Sequence, residues 1–302
     1  MNIKALNGRI CVVAHDAGAA NLIIGWLRKI SASEVRTSLA GPAADLWENA
    51  FGSTKLWSLS TALRGADILL SGTSYNSNLE HQARILARNL GVHSVGVIDH
   101  WVNYSQRFTR DKLQVLPDEI WVTDPDAVKI ASSHFPRTPI KLKSNDYLSD
   151  LVERISTMRP KGSPKSLTAL YVLEPIRNWG SPDNPGEFQA LDYFLENFQL
   201  AGIPSDCEIL LRPHPSEDTK KYHQWLKPRA SLNVRLDTSQ TLEDAISKSD
   251  IVIGCETYAL IVAAATGKRV ICSLPPYAPK CRLPSKELLH LRDIKPYTNK
   301  AR

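Results

Sequence analysis

The sequence predicts an α/β protein made of two Rossmann-like domains, and three observations support this. Short apolar runs rich in β-branched residues alternate with stretches of helical periodicity along the chain. The apolar runs lack polar alternation, which is typical of parallel strands that helices cover on both faces. The length of 302 residues exceeds that of a usual single domain. We therefore expect one parallel, helix-covered sheet in each half of the chain.

The first domain is predicted over residues 1–160. Short apolar runs predict its strands at residues 9–15, 35–39, 55–59, 66–70, 93–98, 119–122 and 139–142. Helical spacing of apolar residues predicts its helices at 19–30, 43–50, 79–90, 125–134 and 147–158. A polar segment at 159–166, rich in Pro, Gly and Ser, predicts the linker to the next domain.

The second domain is predicted over residues 161–302, where the alternation restarts. Its strands are expected at 166–173, 208–211, 234–236, 251–253 and 269–273. Its helices are expected at 187–200, 242–249 and 258–266, with a polar helix that begins at Ser216. The cleft between two such domains is the natural place for a ligand.

Composition excludes several classes of protein. A content of 43% hydrophobic and 23% charged residues is ordinary for a folded enzyme and unlike a disordered chain. The net charge of +6 suits an anionic partner, and without a basic run interleaved with aromatic residues we expect an acidic or phosphorylated ligand rather than nucleic acid. The five cysteines lack CxxC spacing, and neither a signal peptide nor an apolar run of about 20 residues is seen. These features predict a reduced, cytoplasmic protein.

The sequence also lacks the motifs of several metal- and cofactor-dependent enzymes. It contains no His, Cys, Asp and Glu cluster with zinc-ligand spacing, no Walker phosphate loop, no GxSxG elbow and no GxGxxG dinucleotide fingerprint. Metal hydrolases, phosphate-loop kinases and α/β-hydrolases therefore lose support. We expect neither a resident metal ion nor a cofactor.

Small and polar residues follow two predicted strands of the first domain. Residues 12–21 read as a strand, a small-residue turn and a helix start, which would let a ligand approach the helix amides. Asp16 is a candidate catalytic acid in this turn, and Asn21 is a candidate acceptor-binding residue. Thr73, beyond the strand at 66–70, is an acceptor-binding candidate of the same kind. Tight strand-to-helix packing or helix capping would explain these residues equally well.

Residues 95–104 carry the most specific pattern of the first half. Asp99 and His100 leave an apolar strand directly before aromatic residues. A carboxylate at the carboxyl end of a strand, partly shielded by aromatic rings, suits a general base that takes a proton from a hydroxyl. His100 and Arg107 are candidates for binding an acidic acceptor. In the alternative interpretation Asp99 caps a turn, His100 only satisfies its own hydrogen bonds and Arg107 is simply solvated.

The most informative segment is Leu-Leu-Arg-Pro-His-Pro-Ser-Glu-Asp at residues 210–218. An arginine fork and a histidine restricted by proline on both sides form an anion-binding corner at a strand end. Arg212 is a donor-binding candidate, and His214 would contact a phosphate, stabilise a leaving nucleotide or act as an acid. A structural histidine in a turn is the alternative. Ser239, after the next strand, is a weaker donor-binding candidate.

Two acidic residues mark other strand ends of the second domain. Glu174 would bond ligand hydroxyls and Arg177 would reach a phosphate, although a Pro-rich exposed loop explains both equally well. The turn Gly-Cys-Glu-Thr at 254–257 precedes a helix whose free amides can receive a phosphate. Glu256 would accept from ribose hydroxyls, with Thr257 beside it. Glu256 is also an ordinary residue for the first turn of a helix.

The second half resembles the nucleotide-binding domain of GT-B glycosyltransferases. The Leu-Arg-Pro-His-Pro run at 211–215 is similar to the His-Pro motif of bacterial sialyl- and polysialyltransferases and of CDP-glycerol glycerophosphotransferases. The strand, turn and Ala-rich helix at 253–270 look like the pattern found in those families. The acidic-acidic-Gly motif of the polysialyltransferases is absent, and Cys-Glu replaces the paired serines of the turn. The resemblance implies a GT-B-like fold and a donor-phosphate site that contains Arg212, His214, Glu256 and Thr257, with Asp99 as the acceptor-side base.

Together these features predict a metal-independent, inverting transferase. It would move a sugar from a CMP-, CDP- or UDP-linked donor to a hydroxyl of a cell-surface polysaccharide or glycolipid precursor. Its partners would be the nucleotide-sugar and the glycan acceptor, and both a peripheral contact with the inner membrane leaflet and a homodimer are compatible with the sequence. Two alternatives stay open: a nucleotide-sugar epimerase or hydrolase of the UDP-GlcNAc 2-epimerase type, and a non-catalytic nucleotide-sugar binding protein.

Overall fold

A computed structural model describes residues 8–30, 34–53, 55–74, 76–158, 167–177 and 179–295. The chain forms two compact units, Met1–Asp150 and Leu151–Arg302. Among the described residues, each unit contains one six-stranded sheet whose neighbouring strands all run parallel. The predicted α/β class with two Rossmann-like domains is therefore confirmed. The linker predicted at residues 159–166 lies outside the described residues.

Unit 1 has the strand order β2-β1-β3-β4-β7-β8. Its strands are β1 (Arg9–Ala14), β2 (Glu34–Leu39), β3 (Ile68–Ser71), β4 (His93–Val97), β7 (Glu119–Val122) and β8 (Ile140–Leu142), with a separate antiparallel ribbon of β5 (Thr109–Arg110) and β6 (Leu113–Gln114). Its helices are α1 (Ala17–Leu27), α2 (Pro42–Phe51), α3 (Leu59–Leu63), α4 (Leu79–Leu90), α5 (Tyr104–Phe108) and α6 (Pro125–His134), and α7 (Asp146–Met158) contains the unit boundary.

Helices cover both faces of the unit 1 sheet. Adjacent residues of a strand point to opposite faces. Val12 belongs to a buried cluster with Ile23 of α1, whereas Val13 belongs to another with Ala83 of α4. All positions of β1 after its first residue are therefore buried, which explains why its sequence is apolar without alternation.

Unit 2 has the strand order β11-β10-β9-β12-β13-β14. Its strands are β9 (Thr168–Val172), β10 (Glu208–Arg212), β11 (Val234–Leu236), β12 (Ile251–Gly254), β13 (Arg269–Cys272) and β14 (Leu288–His290). Its helices are α8 (Gly186–Asn197), α9 (Lys220–Leu226), α10 (Leu242–Lys248) and α11 (Tyr258–Ala265), with short 3-10 turns at Phe198–Ala201, Lys227–Arg229 and Leu291–Asp293. A core cluster joins Tyr171, Leu211 and Ile253 of three strands to Phe194 of α8.

The strand predicted at residues 55–59 is wrong. Leu56 forms only an isolated parallel bridge with Thr37, and its side chain is 55% exposed. Ser58 then caps α3 by accepting from the backbone N–H of Thr61 at 3.3 Å. The cap begins a helix where the short run of apolar residues had indicated a strand.

The helix predicted to begin at Ser216 begins only at Lys220. The backbone N–H of Ser216 donates to the His214 ring at 3.2 Å, and the Asp218 carboxylate accepts from the N–H of Lys220 at 2.9 Å. These side-chain contacts hold the segment as turns, which compete with a helix. The ribbon of β5 and β6, helix α5 and strand β14 are too short for periodicity to reveal. No helix in the described part of the chain combines the length and apolarity that crossing a bilayer requires.

Candidate functional site

In unit 1 the chain adds β2 on one side of β1 and then β3 on the other, and this change of side opens a crevice between β1 and β3. The two crossovers therefore leave the sheet in opposite directions. Ligands of open α/β sheets bind at such a switch point, outside the carboxyl ends of the strands. Residues 15–18 follow β1, residues 72–74 follow β3, and Asp99 follows the neighbouring strand β4.

Asp99 is held on two sides at this edge. Its Oδ1 accepts a hydrogen bond from Arg107 Nη1 at 2.8 Å, and the side chains are 19% and 8% exposed. On the other side Asp99 lies against Gly18 of α1, where a Cβ would fall 1.7 Å from Oδ2. Only glycine at position 18 admits Asp99 in this place.

The other candidates of unit 1 differ in how accessible they are. Thr73 is buried, donates to the carbonyl of Val97 at 2.8 Å and accepts from Arg107 at 3.2 Å, so it positions the arginine. Asn21 lies half-buried in α1. The structure thus brings Thr73 and Arg107 together with Asp99.

Asp16 and His100 occupy the loops beside this group. Asp16 is the N-cap residue of α1, and its Oδ1 lies 2.7 Å from Nδ1 of His15. His100 accepts from the backbone N–H of Trp101 through Nδ1 at 2.9 Å. Both side chains are partly exposed, so a ligand can reach them.

Glu80 is a residue of this site that the sequence did not reveal. It is fully buried at the start of α4, and its Oε1 accepts from the backbone N–H of His15 at 2.9 Å. Its Oε2 has no hydrogen-bond partner in the described structure, and burial raises the pKa of this carboxyl. An acid in the first turn of a helix is usually solvated, so nothing in the sequence indicated its burial.

The switch point of unit 2 lies between β9 and β12. Two crossovers place β10 and β11 on one side of β9 before the chain returns to β12 on the other side. This is the order 3-2-1-4-5-6 of dinucleotide-binding domains, which bind ligands at the corresponding crevice. Glu174 and Glu256 follow these two strands.

Glu174 bridges the crevice. Its Oε1 accepts from the backbone N–H of Glu256 at 2.5 Å, so the carboxyl occupies an amide at the turn before α11. Burial raises the pKa of Glu174 from 4.5 to about 7, and the nearby Glu256 carboxylate adds to the shift. Glu174 therefore changes its charge near neutral pH, in contact with the turn predicted to receive a phosphate.

Glu256 is paired with an arginine that the sequence did not indicate. Both of its carboxylate oxygens accept from Arg282, through Nε at 2.9 and 3.1 Å. Thr257 caps α11 by accepting from the N–H of Ala259 at 3.3 Å. Arg282 lies in a Pro-rich loop with no sequence signal. The predicted ribose contact of Glu256 would have to form beside this ion pair.

Arg212 is partly neutralised by a second missed residue. Its Nη1 donates to Asp237, whose side chain is 2% exposed, and to the carbonyl of Ser239 at 3.0 Å. Nε and Nη2 of Arg212 form no hydrogen bond with the described residues, so they remain available to a ligand. Asp237 follows β11 in the way Asp99 follows β4, and that position at a strand end could have identified it.

His214 presents one ring nitrogen outward. The N–H of Ser216 donates to Nδ1 at 3.2 Å, and the Ser216 hydroxyl lies 2.7 Å from the same atom. A backbone N–H can only donate, so Nδ1 is assigned as the acceptor and the proton of the neutral ring lies on Nε2. The side chain is exposed, and Nε2–H is therefore a fixed donor that faces solvent.

Arg177 reaches the His214 loop through Glu217. The N–H of Glu217 donates to the carbonyl of His214 at 2.9 Å, and its carboxylate accepts from Arg177 at 2.6 Å. Lys221 joins the same carboxylate to buried Glu187, which Lys221 contacts at 2.7 Å. The arginine, 66% exposed, thus braces the loop. Within the described residues, no three His, Cys, Asp or Glu side chains are arranged to hold a metal ion.

Comparisons with known proteins bear on the fold. No protein-family model and no curated protein sequence matches the chain. Among solved structures, the chain is similar to a putative UDP-N-acetylglucosamine 2-epimerase from Listeria monocytogenes, with 14% identity, 89% of this chain and 80% of that chain covered, and a TM-score of 0.58. A UDP-GlcNAc 2-epimerase from Methanocaldococcus jannaschii shows 10% identity, coverage of 87% and 83%, and a TM-score of 0.56.

An α/β-galactoside α-2,3-sialyltransferase from the luminous marine bacterium Photobacterium phosphoreum is also similar. Its identity is 8%, 95% of this chain and 100% of that chain are covered, and the TM-score is 0.54. Likeness at this level of identity shows the fold alone. The GT-B-like architecture of two Rossmann-like domains is thus shared with a glycosyltransferase and with epimerases.

Proposed function

We propose that this protein is a glycosyltransferase that takes a sugar from a nucleotide-activated donor. The single observation that carries the proposal is His214, whose outward Nε2–H is fixed by Ser216 and by two flanking prolines. A rigid N–H donor at the carboxyl end of a sheet strand suits the phosphate of a leaving nucleotide. The two unpaired donor groups of Arg212, Nε and Nη2, would add charge to the same role.

The acceptor side is assigned to unit 1. Asp99 would take the proton of an acceptor hydroxyl through Oδ2 while Arg107 holds Oδ1. The acceptor oxygen would attack the anomeric carbon, the bond to the nucleotide phosphate would break, and His214 with Arg212 would stabilise the departing charge. We expect an inverting reaction and an acceptor that belongs to a cell-surface polysaccharide or glycolipid. Asn21 and His100 would contact that acceptor, and Asp16 is a further catalytic candidate.

A nucleotide-sugar epimerase is the second candidate. One of the three similar structures described above is a UDP-GlcNAc 2-epimerase and another is named as a putative one, and several acids lie at the switch points of the two sheets. Glu80 and Glu174 are buried acids whose pKa burial raises, as a proton-transferring acid or base requires. A nucleotide-sugar binding protein without catalytic activity is the third candidate.

Calorimetry with CMP, CDP, UDP and GDP tests the donor site. We expect one nucleotide to bind, His214→Ala to weaken it at least tenfold, and His223→Ala, an exposed histidine of α9 in the same unit, to leave it unchanged. Equal affinity in all three proteins would remove His214 from the site. Binding of none of the four nucleotides would overturn the proposal.

The bound nucleotide then selects the sugar donors to incubate with the protein, with products followed by NMR. A new nucleotide-sugar isomer without acceptor would establish the epimerase. Release of nucleotide that depends on added glycan, and its loss in Asp99→Asn with nucleotide affinity retained, would support the transferase. Intact donor under every condition, with binding retained, would favour the binding protein.

A further inference from the structure

Two cysteines of unit 2 meet at one carbonyl oxygen. Cys272 ends β13, and Cys281 lies in the loop before β14. The Sγ of Cys272 is 3.1 Å from the carbonyl oxygen of Cys255, and the Sγ of Cys281 is 3.7 Å from the same oxygen. The two thiols also form a hydrogen bond with each other, although neither takes part in the function proposed above.

Cys281 differs in reactivity from the other cysteines, including Cys272, whose pKa is raised by its hydrogen bond to Cys281 and by burial. Cys281 is partly exposed, and its pKa is lowered because the Cys272 thiol hydrogen-bonds to its thiolate. The backbone N–H of Leu283 acts in the same direction. Burial raises the pKa of Cys11 to about 12 and raises that of Cys255 as well. Because the thiolate is the nucleophile, Cys281 is the cysteine most suited to react.

The loop that carries Cys281 is held in place at both ends. Arg292 donates to the carbonyls of Leu274 at 3.0 Å and Ala278 at 3.1 Å, which fixes the first part of the loop. Arg282, the residue after Cys281, binds Glu256 through its side chain and its backbone N–H. Cys281 is thus kept beside Cys272, and any movement of it is transmitted to Glu256.

We propose that Cys272 and Cys281 form a dithiol that hydrogen peroxide oxidises to a disulfide. The Cys281 thiolate attacks the peroxide, an S–O bond forms, the O–O bond breaks, and the hydroxide that leaves is protonated to water. The Cys272 thiol then attacks the sulfenic sulfur, the S–S bond forms, and the oxygen departs as a second water. Two thiols lose two electrons, and the peroxide is reduced to two water molecules.

The disulfide would act on the turn before α11. An S–S bond is about 2.05 Å long, so closing it draws Cys281 toward β13 and displaces the adjacent Arg282. Glu256 then loses contacts with both the backbone and the side chain of this arginine. If the donor site proposed above is correct, oxidation changes nucleotide affinity without changing His214.

Peptide mapping of the purified full chain tests the proposal directly. The reduced protein is treated with hydrogen peroxide, its free thiols are blocked with N-ethylmaleimide, and it is digested with trypsin without reduction. We expect residues 270–280 linked to residues 281–282, because Arg269, Lys280 and Arg282 are the cleavage sites. Two of the five thiols should be lost from the thiol titre. A different pair, or five free thiols after treatment, would overturn the proposal.

Variants separate the two roles. In Cys272→Ser, dimedone should label a sulfenic acid at Cys281, whereas in Cys281→Ser it should label neither position. Cys207→Ser, a buried cysteine elsewhere in unit 2, should form the same disulfide as the native chain. Sulfenic acid at Cys272 instead of Cys281 would contradict the assigned order of attack.

A nucleotide titration of oxidised and reduced protein addresses the effect on the turn. At least a threefold change in affinity, abolished in Cys281→Ser, is expected. An unchanged affinity with the disulfide present would overturn the link to Glu256 but not the disulfide. Absence of nucleotide binding to the reduced chain would instead reject the donor site, while the peptide map stands independently.

Discussion

Replacing Gly18 with alanine would test whether Asp99 is seated against α1. At an ordinary helix position this change stabilises a protein by about 1 kcal/mol, because alanine has the higher helix propensity. Here the added methyl group would lie 1.7 Å from Oδ2 and 2.6 Å from Cγ of Asp99. Asp99 must therefore move, and its hydrogen bond to Arg107 must break.

The expected magnitude follows from the burial of that ion pair. Breaking a buried pair costs about 3–5 kcal/mol, because one charge is left without its partner. Asp99 keeps some exposure to water, at 19%, so we take the lower value of about 3 kcal/mol. Subtracting the gain in helix propensity leaves a net loss of about 2 kcal/mol in the free energy of unfolding.

Urea denaturation of a double-mutant cycle measures this effect. In an Asp99→Ala background the clash with Oδ2 and Cγ is absent, so Gly18→Ala should stabilise the chain by up to about 1 kcal/mol. The sign of the substitution thus reverses between the two backgrounds. An equal loss of stability in both would show that Gly18 is required for another reason and would refute the placement of Asp99.

Three further substitutions probe other buried groups. Because burial raises the pKa of Glu174 to about 7, the folded chain holds this proton more tightly than the unfolded chain does. Relative to Glu174→Gln, the free energy of unfolding should therefore be highest below pH 4.5 and fall by about 3 kcal/mol as the pH rises to 7. A difference in unfolding free energy between the two proteins that stays constant with pH, measured by urea titration, would contradict this. Asp237→Asn leaves Arg212 without its carboxylate and should lower the stability of unit 2 by about 2–4 kcal/mol in thermal unfolding, whereas no change would show that the pair is solvent-screened. Arg84 is buried and donates to the carbonyls of Val115, Gly72 and Arg107. A lysine cannot reach all three carbonyls, so Arg84→Lys should lower the free energy of unfolding by about 2–3 kcal/mol in urea denaturation. A stability equal to that of the native chain would show that charge alone matters.

The fold was largely predictable because burial on both faces leaves a strong signal. The strand β7 and the helices α4 and α6 were predicted to the residue, since each is bounded by Gly, Pro or Asp that forms a real cap or turn. The failure at residues 55–59 has the opposite cause. There, Leu56 is exposed beside the sheet edge, and the side chain of Ser58 caps a helix instead.

The positions of several candidate site residues were predictable, but the residues that form ion pairs with them were not. Parallel strands bring their carboxyl ends to one edge, so Asp99, Arg212 and Glu256 were identified by chain position alone. Their partners come from elsewhere in the chain: Arg282 is 26 residues from Glu256, and Asp237 is 25 from Arg212. A side chain at such a separation carries no local pattern, and only packing determines which cation meets which acid.

The strand order of unit 2 has a consequence for how the protein folds. Glu174 and Glu256, which meet across β9 and β12, are separated by 82 residues. The chain between them contains β10 and β11, and the pairings of β10 with β9 and of β11 with β10 join residues that are closer in sequence. Because contacts of long sequence separation form slowly, we expect β12 to dock late and the amides of its turn to be the last part of this sheet to gain protection from hydrogen exchange during refolding. A newly made chain would then carry a nearly complete second domain before the donor site proposed above can form.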